Sequence, residues 1–231
     1  MTGDLLPFLG SLQLSDSAFP SGLYTLSHGL EAYAQAGQLS SGRDLEALIT
    51  DLLRHGVGPA DGVALANAHR GALEDDPELV ATADLRLVAT KLAREARAAS
   101  VRTGKQLLDL ASSLFDHPVL AHHAERVRRG ELPGSHAVAL GLVTAALGVT
   151  REHAMAGELY AFCVGCTGAA IRLSLIDHRE AQRLLHALKP VIGEVVLQNV
   201  HRKVGDIASS VPLVDVMAMR HEHADGRLFT S

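Results

Sequence analysis

"AMAGELYAFCVGCTGAAI", residues 154–171, decides what kind of molecule this is. It carries a single charge, Glu158, and its length brushes the roughly 20 apolar residues that a bilayer-spanning helix needs. Glu158 and the small positions Gly157, Gly165, Thr167 and Gly168 weaken that reading. A helix that is apolar all round is equally what the middle of a soluble protein requires. The stretch reads as a buried helix with its N-cap at Thr150, running to about Ile176, in a protein that does not enter a membrane. A second apolar stretch, "HAVALGLVTAALG" (residues 136–148), has the same small-residue character. Gly157, Gly165 and Gly168, with Ala161 and Ala169, are expected to let helix backbones approach closely. Each glycine costs about 1 kcal/mol relative to alanine in a helix, so close packing is the expected return.

The rest of the composition agrees with a helical core. The chain has 231 residues and is 47% hydrophobic, enough for one substantial core and marginal for two. Aromatics are 3% with no Trp, so Leu, Ala and Val must fill the interior. Ala and Leu favour helix, and residues that favour strand are sparse. The expectation is an all-α, single-domain bundle over residues 1–231. It has about nine helices, the two small-residue-rich ones at its centre, and a polar C-terminal tail.

Outward from the centre, caps mark the other elements. Ser41 and Asp44 resemble a capping box ahead of Leu45, Leu48, Ile49, Leu52 and Leu53. Pro59 starts a candidate helix to about Leu73. Asp76-Pro77 opens a long pattern reaching Phe115, as two helices or one kinked helix, with Gly104 as its blemish. Pro118 to Gly130 is a short basic helix, and two helices flank Pro190 because proline removes an amide donor. "FPSGLYTLSHGLEAYA" (residues 19–34) reads as helical through Leu23, Leu26, Leu30 and Tyr33, with Pro20 and Gly22 shaping its entry.

Several functions are disfavoured. A net charge of −5 and a pI near 6.2 argue against a nucleic-acid binder. Asp4 before the first apolar run, with no basic residue, argues against a secretory signal and for the cytoplasm. Two cysteines make no disulfide framework. A redox CxxC needs a helix N-terminus or a nearby cation, whereas Cys163 and Cys166 lie in mid-helix and read as packing residues. Thirteen histidines scatter without an HExxH or Glu-x-x-His motif, and His221-Glu222-His223 reads as surface. "RTGKQ" lacks the rest of a P-loop, and no G-x-S-x-G elbow is present. The sequence therefore offers no catalytic residues, no resident metal and no cofactor site. Lys91, Arg94, Arg102 and Lys105 share one side of a continuous helix, either as a solvated face or as a contact for an acidic partner. A helical protein that binds metal directly through its histidines and CxxC is the competing reading.

Four blocks carry a resemblance. "LQLSDSAFPSGLYTLSHGLEAY" (residues 12–33) is similar to the N-terminal signature of the UreF family of urease accessory proteins, with Phe19, Pro20, Gly22, Tyr24, Ser27, Gly29, Leu30 and Glu31 in register. "SVRTGKQLL" (100–108) resembles the family's Ser-x-Arg-x-Gly segment, and His136 and Gly141 match its His-x-x-x-x-Gly helix. "DVMAMRHEHADGRLFTS" (215–231) resembles its closing block through Met219, His221, Glu222, Arg227, Leu228, Phe229 and Ser231. The chain departs from the pattern at "IDHREAQ" (176–182) and "HADG" (223–226).

The resemblance implies a non-enzymatic, homodimeric, all-α accessory factor for nickel delivery. Such a factor binds the UreD/UreH accessory protein, recruits the GTPase UreG and engages apo-urease. It implies that residues 215–231 form a partner-dependent tail. Tyr24, Glu31, His221, Glu222, Arg227, Leu228 and Phe229 become the partner-binding residues, with a hydrogen bond between Tyr24 and Arg227 at their centre.

Overall fold

The computed structural model describes residues 5–15, 19, 22, 25–222 and 228–229. Helices account for nearly all of the architecture, and among the described residues there is no strand. In chain order they are α1 (Leu5–Ser15), α2 (Leu30–Gln35), α3 (Gly42–Leu52), a π-helical segment (Leu53–Gly62), α4 (Val63–Leu73), α5 (Pro77–Thr90) and α6 (Arg94–Leu114). They continue with α7 (Pro118–Arg128), α8 (His136–Ala146), α9 (Arg151–Arg172), α10 (His178–Asn199), a 3₁₀ turn (Val204–Asp206) and α11 (Pro212–His221). The all-α, single-domain expectation holds.

The centre is α4 packed on α8, with α5 and α6 flanking that pair and α9 lying against α10. Nearly every residue of α4 and α8 is buried. Small side chains make this possible: a Cβ on Gly141 of α8 would stand 2.5 Å from the Leu65 carbonyl oxygen of α4. Helix α9 is long and apolar enough to cross a membrane, yet half of that apolar window is buried against other helices. Cys163 and Cys166 are free, buried thiols. Burial pushes Cys163 up to about 12 and Cys166 well above the usual thiol value, so neither is a ready thiolate.

Caps explain most boundaries. The Ser41 hydroxyl accepts from the Asp44 amide, Asp76 from Leu79, Thr150 from His153 and Asp177 from Glu180. The pattern from Asp76 to Phe115 is two helices. Arg97 caps the first by donating to the Lys91 and Leu92 carbonyls at 2.6 and 2.7 Å. The basic face expected along this stretch is therefore broken: Lys91 lies outside α6 and pairs with Asp61 at 2.8 Å.

Other expectations need correction. The opening stretch is helical only from Leu30, because Gly29 is left-handed (φ 83°) and His28 shares that sign (φ 53°). Leu26, Leu30 and Tyr33 are buried as the periodicity predicts; Pro20, Leu23 and Tyr24 lie outside the described residues. Pro190 does not divide α10; it sits on the helix's exposed side. Pro59 does not start a helix; it lies inside the π-helical segment joining α3 to α4. Gly157 and Gly168 face open space, so only Gly165 is a close approach, to the His28 ring at 3.1 Å.

Gly104 has the role expected of the α9 glycines. A Cβ there would collide with the Gly134 carbonyl and stand 2.6 Å from the His136 amide. The turn it accommodates is pinned by Asp84, which is 0% exposed. Asp84 accepts from the Gly134 amide (2.7 Å), the Ser135 amide (2.8 Å) and the Ser135 hydroxyl (2.6 Å). His123 Nε2 stands 3.3 Å away. Burial pushes the Asp84 carboxyl up, but His123 and Ser135 outweigh it and hold it below its ordinary value.

Candidate functional site: a C-terminal latch

The π-helical segment prepares the docking of the C-terminal region. Pro59 lies in this segment, and the nearby His55 carbonyl accepts from the Ser210 amide at 2.8 Å. The Pro59 carbonyl accepts from the Ala208 amide at 3.2 Å. Residues 207–211 thus run along this segment and lead into α11, which packs on α2 and α6.

Glu31 receives the end of the chain. The left-handed turn at His28-Gly29 starts α2 and places Glu31 in its first turn, 2% exposed. A buried carboxylate is costly unless donors surround it. Glu31 Oε1 accepts from the Leu228 amide at 2.8 Å, and Oε2 accepts from the Phe229 amide at 3.1 Å. Oε2 also lies 2.8 Å from His221 Nε2.

The other ring nitrogen of His221, Nδ1, lies 2.8 Å from Glu95 Oε2. His221 thus spans two carboxylates from different helices, one at each ring nitrogen. The imidazole separates the two carboxylates rather than joining them around a common point. Among the described residues no group of three or more His, Cys, Asp and Glu side chains is arranged to hold a metal ion.

Glu222 closes the other side of the latch. Its Oε1 accepts from the Glu95 amide at the start of α6 at 3.2 Å, and Oε2 lies 3.3 Å from Arg94 Nε. Burial raises the Glu222 carboxyl, but the Glu95 amide and Arg94 outweigh it and bring it below its ordinary value. Phe229 is buried beneath Arg172, whose guanidinium carbon is 4.3 Å from the ring centroid.

The fold thus gathers Glu31, His221, Glu222 and Phe229 into one site. Leu228 joins it through its backbone, while its side chain is 75% exposed. Tyr24 and Arg227, and with them the proposed hydrogen bond between the two, lie outside the described residues. His221 is not a surface residue: it is 1% exposed, because two carboxylates from distant helices enclose its ring. Sequence reasoning missed Glu95, Arg94 and Arg172. Arg94 had been grouped with a basic face; an acidic residue in a first helical turn was the available signal for Glu95.

Comparison with known proteins places the chain. A family model described as UreF matches residues 39–189. A urease accessory protein UreF from Trichodesmium erythraeum (strain IMS101) is 32% identical over 231 residues, covering 100% of both chains. The chain belongs to the UreF family. A urease accessory protein UreF 2 from Brucella canis is 31% identical over 218 residues, covering 94% of this chain and 89% of that one. A UreF from Yersinia pseudotuberculosis is 28% identical over 220 residues, covering 95% and 96%. The family model begins after Glu31 and ends before His221, so it takes in Arg94, Glu95 and Arg172 but neither Glu31 nor the C-terminal residues of the latch. The full-length match to the Trichodesmium UreF spans both halves of the latch.

Proposed function

We propose that this UreF-family chain is a cytoplasmic, non-enzymatic urease maturation factor that works by holding other proteins together. In this reading it is a homodimer that binds the UreD/UreH accessory protein, recruits the GTPase UreG and brings nickel, as cargo, to apo-urease. The observation that carries it is the C-terminal latch in a UreF-family chain: a terminal segment drawn 190 residues back in sequence to a buried Glu31. Ordering a chain end costs about 1 to 2 kcal/mol per residue in backbone entropy, so a few hydrogen bonds and one buried ring leave the balance for a partner to tip. Exposed apolar side chains support a binding role. Leu5, Leu6, Phe8, Leu9 and Leu12 line one side of α1, and Leu213, Val216 and Met219 line the outer side of α11.

The test is capture from lysate. The full chain is expected to bring down UreD/UreH, UreG and urease. A chain lacking residues 224–231 is expected to keep its fold and its dimer but lose UreG. Normal UreG recruitment by the shortened chain overturns the tail's role. The competing reading, direct metal binding, is checked by nickel and zinc dialysis: tight stoichiometric binding lost on Cys163→Ala or His221→Ala would establish it.

A further inference from the structure

A cavity of about 190 Å³ lies beneath the C-terminal segment. Its floor and walls come from the π-helical segment, the start of α6, α9 and the turn before α2, including Val57, Ala99 and Phe162. Ser209, Val211, Val214, Asp215 and Ala218 form its roof, all from residues 207–222. The lining is mostly apolar, with two charged pairs set into it. The Asp61–Lys91 pair stands at 2.8 Å and the His136–Glu158 pair at 3.7 Å, all four side chains less than one-fifth exposed. His28 lines the same space, its ring edge-on to Phe162 with centroids 4.8 Å apart.

The roof is tied at its two ends and lightly in between. At one end are the Ala208 and Ser210 amide bonds to the π-helical segment. At the other are His221 between Glu31 and Glu95, and Glu222 on Arg94 and the Glu95 amide. Along α11 only Met217 and His221 are buried. An element with few buried side chains and most of its hold at one charged cluster is the kind that opens locally, without global unfolding.

We propose that residues 207–222 are a lid on this cavity, hinged where residues 208–210 meet the π-helical segment and latched by Glu31 and Glu95 through His221. Opening the latch uncovers His28, the Asp61–Lys91 pair and the His136–Glu158 pair together. Closing it removes them from water in one step. The lid needs no partner in order to exist. It therefore stands or falls independently of UreG recruitment.

Two readouts on the full chain test it. Under the lid, burial first and Lys91 second, with a smaller contribution from His136 and an opposing one from Asp61, hold His28 at about 4 against its usual 6.5. Glu31→Gln keeps the volume of the side chain but removes one acceptor oxygen. It is expected to raise amide exchange across α11 and at Ser210 at least tenfold, with α4 and α8 still protected. In the same variant the NMR titration of His28 is expected to move from near 4 towards 6.5. Fast α11 exchange with His28 unmoved would show that the segment does not cover the cavity. Unchanged α11 exchange would show that Glu31 is not the latch. If α4 and α8 also lose protection, Glu222→Gln decides the matter by the same two readouts.

Discussion

Asp84 and Glu31 are chemically near-identical devices in two parts of one molecule. Each is a carboxylate that is 2% exposed or less, receives two main-chain amides and has a histidine beside it. Their surroundings differ. The donors to Asp84 come from 50 and 51 residues away, on the turn between α7 and α8, both anchored in the core. The donors to Glu31 come from 197 and 198 residues away, at the end of the chain beyond α11. Neighbouring helices already fix the Asp84 turn, so its hydrogen bonds add to a geometry that packing enforces. At Glu31 the hydrogen bonds themselves oppose the entropy of a chain end. The first carboxylate therefore acts as a staple and the second as a latch.

Four measurements break or sharpen that contrast. Asp84→Asn leaves buried donors without acceptors and is expected to cost about 3 kcal/mol in urea unfolding, read from the midpoint. A cost near that of Glu31→Gln would erase the distinction.

Acid addresses the cavity beneath the latch. His28 has a pKa of about 4 folded against 6.5 when free, so the unfolded or opened chain binds the extra proton between those values. Stability is thus full above about 6.5 and is lost as pH falls towards 4, by roughly 2 to 3 kcal/mol, and His28→Asn flattens that slope. If the loss shows first as faster α11 exchange, before the core unfolds, it belongs to the latch region.

Gly104→Ala drives a methyl group into the turn that Asp84 holds. It is expected to cost about 2 kcal/mol after the helix-propensity gain, seen as a lowered Tm. Glu31→Gln has the smallest effect on global stability, about 1 kcal/mol or less, because opening the C-terminal segment leaves the α4–α8 core intact. A loss as large as that for Asp84→Asn would make Glu31 a staple too.

Much of the fold is legible along the chain because the signals are local. Capping side chains at Ser41, Asp76, Thr150 and Asp177 announce helix starts within three residues of the amides they bind. The apolar periodicity of α3 and the uniform apolarity of α8 announce burial. The misreadings arose where a neighbour distant in sequence overrides the local rule. Pro190 stands on the exposed side of α10, which runs through it, and Pro59 sits in a π-helical segment whose His55 carbonyl is met by Ser210. Glycine spacing in α9 looked like helix packing, while the close approaches are made at Gly141, against α4, and at Gly104, against the turn before α8.

At the site, resemblance to UreF proteins marked Glu31, His221, Glu222 and Phe229 as belonging together, and the fold does bring them together. It could not say that His221 turns inward between two acids. The sequence by itself determined an all-helical chain, the burial of α8 and its family, because helix propensity, caps and motif order are written in neighbouring residues; that α4 rather than α9 packs most closely on α8 was not among its signals. Only the tertiary structure decided that Glu95 completes the latch and that α11 roofs a cavity with two charged pairs in its lining. His221 and Glu95 are more than 120 positions apart, and the cavity joins elements from across the chain, so their meeting depends on how the helices between them pack.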